Sequence, residues 1–338
     1  MTNNIQEAQV NKKVVILMTT FNGEKYLSEQ IESIVSQTFE NWTLLIRDDG
    51  SIDDTLSIIK KYLALDKRLE LLIDDKGSSG SAANNFNLLC LEALKRGYDY
   101  YFFSDQDDVW VKDKVNIFLN QMIDFEGDKK PQPVLMYSDL FVVDENNTTI
   151  HNSFMDYQSF KNEQKEPLKT LLVQNYVTGC AVLVNQHLLS LACPFPKEII
   201  MHDWWLALCT SAVGKIHYIN KPLVSYRQHS SNTVGAAGFW SIINPFDYGF
   251  ISHWAENKEG FKATIRQAGE LHKRLLDANN YDVSKALKLT EIYSTLLSHN
   301  AYKPLMNVIS CGLKRQGFVP YFMFLGRLAF MPKNNELE

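Results

Sequence analysis

The N-terminal part of the chain, up to Ile73, alternates between apolar runs and segments with helical periodicity, and this alternation constrains the fold most strongly. Lys13–Thr20 is a continuous β-branched and apolar run typical of a buried strand, and Glu24–Thr38 carries apolar residues at helical spacing. Trp42–Arg47 predicts a second strand, Thr55–Leu65 a second helix and Leu69–Ile73 a third strand. Because helical crossovers join parallel strands, this order predicts an α/β fold with a parallel sheet.

The turns after the first two strands carry polar residues and no phosphate-binding loop. Phe21-Asn22-Gly23 ends the first strand, and the chain has neither GxGxxG nor GxxxxGK[ST] there, so a dinucleotide fold and a P-loop are not supported. Asp48 and Asp49 end the second strand. Their carboxylates either accept hydrogen bonds from a ribose hydroxyl and a pyrimidine N–H, or cap the following turn, and the sequence leaves both open.

Three carboxylates follow the apolar strand predicted over Tyr98–Phe103. Asp105, Asp107 and Asp108 come directly after it, at the end of a strand where open α/β folds bind their ligands. Like charges this close repel one another, so a divalent cation held by oxygen ligands, Mg²⁺ or Mn²⁺, is expected among them. The alternative is a solvated acidic turn or a helix cap at Asp108.

The middle of the chain continues the pattern with predicted helices over Asn84–Arg96 and Lys112–Phe125 and a strand over Val134–Val143. Asn146–Gln164 is polar and predicts a surface loop or lid. Gly179 precedes another apolar strand, which indicates a close backbone approach either to a ligand or to a neighbouring strand.

His202, Asp203, Trp204 and Trp205 open an apolar helix. Asp203 either caps that helix or, between apolar walls that raise its basicity, accepts a proton from a hydroxyl group. The two tryptophans would offer flat apolar surface to a sugar ring. Because tryptophan is rare, two in tandem beside an acid favour a binding site over a simple cap.

A strand over Lys215–Tyr226 is followed by Arg227 and His229 at the predicted rim of the sheet. A lone histidine is usually structural. His229, however, stands two residues after Arg227. A neutral imidazole at this position is suited to ligate a metal, while the arginine contacts a diphosphate.

Strands give way to helices after residue 235, which predicts a first domain over 1–235 and a helical region over 236–338. Helical periodicity covers Lys258–Ala278 and Ser284–Leu297. Tyr302–Met331 combines basic and aromatic residues, and it either lies in the lipid interface or packs onto the core as part of a helical subdomain.

Composition excludes several classes of function. The net charge of −5 argues against a general nucleic-acid binder, and five scattered cysteines without a CxxC pair argue against a zinc cluster or a disulfide framework. The polar residues Met1–Lys13 have no signal-peptide core, and no stretch reaches the ~18–20 apolar residues of a membrane span. We therefore expect a cytoplasmic protein, with peripheral contact to the inner face of the cell membrane left open.

Several motifs occur in order along roughly residues 13–235. The first four are Val14–Thr20 with Phe21-Asn22-Gly23, then Ser36-Gln37-Thr38, Asp48-Asp49-Gly50-Ser51 and Asp105-Gln106-Asp107-Asp108. This set resembles the large inverting family of nucleotide-sugar glycosyltransferases known as family 2. The later motifs are similar to those of its rhamnosyltransferase-type branch, and they are Thr178-Gly179-Cys180, His202-Asp203-Trp204-Trp205 and Tyr226-Arg227-Gln228-His229.

The resemblance implies a GT-A fold, a Rossmann-like domain with a mixed, mostly parallel sheet, and it also implies donor-binding roles. Thr19 and Phe21 would line the base pocket, with Asp49 holding the pyrimidine and Asp48 beside it. Asp105 would contact the donor.

The resemblance to family 2 implies metal-binding and catalytic roles as well. Asp105 and Asp107 match the family's Asp-x-Asp motif, with Asp107 the direct metal ligand, and His229 falls where related enzymes supply a third ligand. Asp203 falls at the position of the catalytic base. Many relatives present Glu-Asp where this chain has His202-Asp203, so the identity of the proton acceptor stays open between these two residues.

The implied reaction is inverting transfer of a sugar onto a hydroxyl, with Mg²⁺ or Mn²⁺ bridging the donor phosphates. The expected donor is dTDP-β-L-rhamnose, with a UDP-hexose as the other option. The expected acceptor is an oligosaccharide or lipid-linked glycan of a bacterial surface polysaccharide, contacted by Trp204 and Trp205.

Two other classes compete with this interpretation. A nucleotidyltransferase would share the carboxylates and the metal, but it needs a cationic first loop, and Thr19–Gly23 contains no cation. A non-catalytic carbohydrate-binding protein could use the tryptophans, but it has no need for Asp105, Asp107, Asp203 and His229 together.

Overall fold

The structure is a computed structural model of the chain. It describes residues 12–127, 130–229, 250–296 and 302–330, with the backbone alone at 250–258, 302–304, 327 and 330. Within these residues nine strands form one sheet. The strands are β1 Val14–Thr20, β2 Trp42–Asp48, β3 Leu69–Leu71, β4 Tyr100–Ser104, β5 Val109–Trp110, β6 Val134–Val143, β7 Thr149–His151, β8 Val182–Asn185 and β9 Lys215–Arg227.

The sheet is mixed and mostly parallel, in the order β3-β2-β1-β4-β8-β6-β9-β5, with β7 paired to β6. β1 is parallel to β2 and β4, β2 is parallel to β3, and β6 is parallel to β9. β8 is inserted antiparallel between β4 and β6. The predicted α/β class with a mixed, mostly parallel sheet is therefore confirmed.

The helices connect these strands and continue beyond them. They are α1 Leu27–Val35, α2 Thr55–Leu65, α3 Ala82–Arg96, α4 Lys114–Glu126, α5 Phe154–Tyr157, α6 Pro167–Leu171, α7 Gln186–Ala192, α8 His202–Val213, α9 Phe250–Leu276, α10 Ser284–Ser294, α11 Tyr302–Cys311 and α12 Phe318–Phe330. A 3₁₀ turn over Gly179–Ala181 precedes β8. The predicted helical C-terminal extension is confirmed by α9–α12.

Helices cover both faces of the sheet, which explains why β1 is apolar at successive positions. Val15 and Leu17 point into a cluster with α3, α7 and α8, whereas Ile16 and Met18 point into a second cluster with α1, α2 and α4. A strand buried on both faces has no position that must be polar. Burial on both faces holds the strand ends, and hence the residues that follow them, in fixed places.

The C-terminal helices pack on the same face as α8. Buried side chains of α9–α12 join its core cluster, among them Leu271, Tyr293, Val308 and Phe324. The predicted boundary after residue 235 lies outside the described residues. In the part of the chain that is described, every helix is too short or too polar to cross a bilayer.

Strand direction brings several chain segments to one edge of the sheet. Because β1, β2 and β4 are parallel, their carboxyl ends Thr20, Asp48 and Ser104 lie along the same edge. β8 runs the opposite way, so its amino end, with the turn Gly179–Ala181, reaches this edge too. β9 has the direction of β4 and delivers Arg227 there.

Candidate active site

The acidic segment after β4 lies at this edge against the turn before β8. Ligand atoms of Asp105, Asp108 and Cys180 lie within 4.8 Å of one another. Burial raises the pKa of the Asp105 carboxyl well above its usual range, and the charges of Asp108 and Asp107 add to the shift. Burial likewise raises the pKa of Asp108 to about 7. A cation at this position would stabilise the ionised carboxylates.

Lys114, at the start of α4, is fully buried beside the cluster. Its Nζ donates to the Cys180 carbonyl at 2.6 Å and lies 3.3 Å from the centre of the Trp110 ring. Burial lowers its pKa to about 7, and the neighbouring Cys180 and Asp108 groups oppose that shift. Lys114 was not predicted as a site residue, because a lysine near the start of an amphipathic helix is typically solvated.

Asp107 and His229 form the second half of the acidic site. His229 Nε2 lies 3.0 Å from Asp107 Oδ2, and the imidazole packs on the Tyr26 ring with 4.9 Å between ring centres. Adjacent ligands of an octahedral Mg²⁺, each ~2.1 Å from the ion, would lie about 3 Å apart. The two side chains predicted as metal ligands are hydrogen-bonded to each other in this structure, at a separation that is also compatible with a shared ion.

A buried oxygen also lacks a partner in this cluster. Asp108 Oδ2 has no hydrogen-bond partner among the described residues, whereas Asp108 Oδ1 accepts the Arg227 backbone N–H at 3.1 Å. An unpaired buried carboxylate oxygen is costly, and a cation is one way to satisfy it. Carboxylate oxygens suit Mg²⁺ or Mn²⁺. Among the described residues, however, Asp105 is grouped with Asp108 and Cys180, and the predicted ligands Asp107 and His229 form a separate pair beside this group.

The Arg227 guanidinium is buried and bound by protein groups, and it is not exposed at the sheet edge as predicted. Its side chain is 2% exposed, and its guanidinium donates to the Asp107 carbonyl at 2.8 Å, to the Glu145 carbonyl and to Glu29. The predicted contact with a diphosphate is wrong for this structure, because protein acceptors occupy the guanidinium. Arg227 instead holds the backbone of the acidic segment against β9.

Asp48 and Asp49 are both bound by protein donors. Asp48 accepts from the Thr20 hydroxyl at 2.8 Å and from the Ser51 N–H and hydroxyl, which is the turn-capping alternative. Asp49 accepts from Arg47 at 3.1 Å and from the Ser79 N–H at 2.5 Å. The Asp49 contacts hold the Gly/Ser loop after β3 over the end of β2.

Thr19 and Phe21 flank the end of β1. Thr19 is buried in register with Arg47, and Phe21 is 55% exposed. The Gln106 amide accepts from the Phe21 N–H at 2.8 Å and donates to the Phe21 carbonyl at 3.0 Å. Gln106 thus fixes the turn after β1 to the acidic segment, a role that the sequence analysis did not assign.

Asp203 lies in the first turn of α8, near the acidic cluster. Burial raises its pKa to about 6, although hydrogen bonds from Trp204, Gly179 and Asn175 favour the charged form. Its Oδ1 accepts the Trp204 backbone N–H at 2.6 Å. The charge of Asp203 is also among the causes that raise the pKa of Asp105, so the two carboxyl groups lie within electrostatic reach of each other.

His202 points into the core. Its ring packs against Phe86 and Phe103, with 3.9 Å and 5.2 Å between ring centres, and these two rings also contact each other at 5.6 Å. Neither ring nitrogen of His202 has a partner among the described residues. Burial lowers its pKa to about 3. A Cβ added at Gly179 would lie 2.6 Å from His202 Nε2, so Gly179 permits the close packing of the turn on this ring.

The tandem tryptophans differ in exposure. Trp204 is half-buried, and its indole N–H donates to the Leu171 carbonyl at 2.6 Å. Trp205 is 0% exposed, with its N–H bonded to the Ala192 carbonyl at 3.0 Å. The prediction that Trp205 contacts an acceptor is wrong in this structure, because the helical repeat turns this neighbour of Trp204 into the core.

Comparison with known proteins matches residues 15–184 to the family model described as Glycosyl transferase family 2. The chain is 28% identical over 232 residues to dTDP-rhamnosyl transferase RfbG of Shigella flexneri, covering 65% of this chain and 74% of that protein. It is 27% identical over 241 residues to the UDP-Glc:alpha-D-GlcNAc-diphosphoundecaprenol beta-1,3-glucosyltransferase WfgD of Escherichia coli. That match covers 69% of this chain and 86% of WfgD. The crystal structure of S. aureus TarS 1–349 with UDP aligns at a TM-score of 0.48 and 17% identity, covering 88% of this chain and 90% of the TarS 1–349 chain.

Proposed function

This chain belongs to glycosyl transferase family 2 and is a glycosyltransferase, and from that premise we propose that it transfers one sugar, with inversion, from a nucleoside diphosphate sugar to a hydroxyl of a lipid-linked surface polysaccharide precursor. The observation that carries the proposal is the turn Gly179–Ala181, which joins two groups of acids. Ligand atoms of its Cys180 and of Asp105 and Asp108 lie within 4.8 Å of one another, and its Gly179 N–H is hydrogen-bonded to the buried Asp203.

Asp203 is the proposed proton acceptor. With a pKa of about 6 it is largely ionised near neutral pH and still basic enough to take a proton from a hydroxyl. His202 is the poorer candidate, because its pKa of about 3 makes it a weak base and its ring nitrogens are buried. Trp204 remains the proposed apolar contact for the acceptor.

The reaction forms one bond and breaks one bond. The acceptor oxygen bonds to the anomeric carbon, its proton passes to Asp203, and the bond from that carbon to the diphosphate breaks with the electron pair leaving on the diphosphate. Attack from the face opposite the leaving group inverts the anomeric carbon, through a transition state of oxocarbenium character. Mg²⁺ or Mn²⁺, held by Asp105, Asp107 and His229, would offset the charge on the diphosphate.

The proposed donor is dTDP-L-rhamnose. The similarity to a dTDP-rhamnosyl transferase supports it, and the similarity to a UDP-glucose-dependent enzyme keeps a UDP-hexose as the second candidate. Thr19, Phe21 and the Asp48–Asp49 turn are the proposed surroundings of the nucleoside. For Asp49 to bind a base, the loop contact from Ser79 would have to be exchanged for a contact with the ligand.

Because the proposed acceptor is lipid-linked, we propose that the enzyme acts at a membrane surface, on the cytoplasmic side where nucleotide sugars are used. Exposed apolar side chains of α11 and α12 support it, namely Met306, Ile309, Phe318, Val319 and Phe322. Residues 302–330 contain four basic and no acidic residues, of which Lys314 pairs with Glu163 and Arg315 has a buried Nε. The exposed apolar side chains are therefore the main support for an interface with lipid.

A donor panel tests the proposal. The protein is incubated with dTDP-L-rhamnose, UDP-glucose or UDP-galactose in Mn²⁺, and the released nucleoside diphosphate is measured. We expect release from one donor above the others, abolished by chelation of the metal. Release from none of them, with or without Mn²⁺, would exclude these donors and the proposed reaction with them.

A further inference from the structure

A shallow polar groove of about 410 Å³ lies on the sheet face that carries α6 and α8. It is lined by side chains from the segment before α6 and from β9, which include Asp156, Phe160, Asn162, Gln164, Tyr218 and Asn220. None of these residues belongs to the active site described above. Within the described residues, the Asp156, Gln164 and Asn220 side chains make no hydrogen bond to protein.

The chemistry of the groove is that of a carbohydrate site. Amide groups and a carboxylate offer donors and acceptors that match sugar hydroxyls, and the Tyr218 and Phe160 rings offer apolar surface for the C–H face of a pyranose. Such a mixture, shallow and open to water, suits a neutral polyhydroxylated ligand better than an anion, because Asp156 would repel an anion.

A row of aromatic residues connects the groove to the catalytic carboxylate. Tyr218 packs on Tyr137 with 5.0 Å between ring centres, and Tyr137 packs on Tyr176 at 6.1 Å. Asn175, next to Tyr176, is hydrogen-bonded to Asp203. Tyr137 and Tyr176 are buried, so this row gives only the separation between the groove and the residues around Asp203, which is about two aromatic rings. A short oligosaccharide lying over the surface is long enough to reach from one to the other.

The other end of the groove is attached to the C-terminal helices. The Gln316 side chain makes two hydrogen bonds to the Lys161 backbone, at 2.6 Å and 2.7 Å, and Lys314 pairs with Glu163 at 2.7 Å. Phe318, two residues after Gln316, begins the exposed apolar surface of α12. The groove thus lies between the Asp203 region and the surface proposed to meet the membrane.

We propose that this groove is a subsite for the glycan part of the lipid-linked acceptor, binding sugar units beyond the one that carries the reacting hydroxyl. The inference rests on the proposed function, since it assumes that a sugar is transferred to an acceptor hydroxyl whose proton passes to Asp203. It assigns acceptor recognition to the segment 156–164 and to Asn220, which the family motifs do not include.

The test uses the full-length protein and an array of bacterial surface oligosaccharides of one to several sugar units. Gln164→Ala/Asn220→Ala removes two exposed amides from the groove, and Asn279→Ala/Asn280→Ala removes two exposed amides outside it. Asn220→Trp fills the groove without removing core contacts. We expect the two groove variants to bind the longer glycans about fivefold to tenfold more weakly, because each lost hydrogen bond costs a few-fold in affinity, and the control to bind as wild type.

Donor hydrolysis without acceptor is measured on the same proteins and should be equal in all of them. Equal glycan binding by wild type and both groove variants, or no glycan binding by the wild type, would overturn the subsite. Absence of donor hydrolysis in the wild type would instead count against the proposed function, so the two failures are distinguishable.

Discussion

Asp203 is a buried acid whose pKa of about 6 lies well above that of an exposed aspartate, because burial disfavours its charged form. Only the ionised carboxylate can accept the acceptor proton. We expect turnover at saturating donor and Mn²⁺ to rise about tenfold per pH unit below about 6 and to level off above it. The measurement is the pH dependence of kcat.

Asp203→Asn is the companion variant for this profile. It should lower kcat by ~10²–10⁴-fold while donor affinity stays unchanged, and it should remove the rise with pH. His202→Phe, which keeps an aromatic ring packed against Phe86 and Phe103, should retain the rise. A wild-type profile that is flat from about pH 5 to pH 8 would remove Asp203 from the role of base.

Asp107 and His229 are expected to act as a pair on the cation. Loss of groups that only support a metal ligand typically costs 10- to 100-fold in affinity, so Asp107→Ala should weaken Mn²⁺-dependent donor binding by about tenfold or more. Calorimetry with the nucleoside diphosphate, with and without Mn²⁺, measures this. Asp124→Ala on the exposed side of α4 controls for loss of one negative charge. Metal-independent donor binding of unchanged strength in Asp107→Ala would show that the ion is held elsewhere.

At the level of elements, the turn Gly179–Ala181 connects the two halves of the site. Its Cys180 carbonyl accepts from Lys114 beside the acidic cluster, and its Gly179 N–H is bonded to Asp203. An alanine Cβ at Gly179 would lie 2.6 Å from His202 Nε2, and the His202 ring is 1% exposed and packs against Phe86 and Phe103, which leaves it little room to withdraw. The turn or the start of α8 must then move.

We expect Gly179→Ala to lower kcat by about tenfold or more with little change in donor affinity, because misplacing a catalytic group by a fraction of an ångström is costly. Adding His202→Ala should restore part of the rate by providing space for the new methyl group. Gly260→Ala, where an added Cβ meets nothing within 4 Å, is the control. Wild-type kcat in Gly179→Ala would show that the turn does not position Asp203.

Elements with strong local patterns were predictable from the sequence. Val134–Val143 and Thr55–Leu65 have the predicted bounds, because their apolar spacing and flanking turns are encoded locally. The insertion of β8 between β4 and β6 was not predictable, since strand pairing depends on contacts far apart in the chain. The polar segment 146–164, predicted as a loop or lid, contains β7 and α5, whose short lengths give little periodic signal.

The sequence indicates which types of residue lie at the site better than it indicates where their side chains point. The acids and His229 could be placed at the sheet edge from the sequence because charged residues that follow buried strands lie where those strands end, and their roles stay predictions. Trp205 and Arg227 were misjudged, because their burial depends on what packs around them. Lys114 carried no signal, since a lysine is buried only where tertiary structure supplies acceptors such as the Cys180 carbonyl.

At the scale of the whole molecule, the C-terminal helices have a packed side and an exposed side. Val308, Phe324 and Leu328 are buried in the core cluster with α8, so a truncation that removes α11 and α12 would damage the core as well as any membrane contact. Phe318 and Phe322 are 78% and 54% exposed, with 4.5 Å between ring centres. Substitution of these exposed rings therefore separates membrane contact from folding.

Phe318→Ser/Phe322→Ser should bind vesicles of phosphatidylethanolamine and phosphatidylglycerol at least about tenfold more weakly than wild type, because inserting an aromatic ring into an apolar phase contributes ~1.5–3 kcal/mol. Leu65→Ser/Leu276→Ser, which removes two other exposed apolar side chains, should bind as wild type. Co-sedimentation measures binding, and donor hydrolysis should be equal in all three proteins. Because residues 302–330 are basic, high salt should also weaken wild-type binding. Equal binding by both double variants would place the membrane contact away from α12.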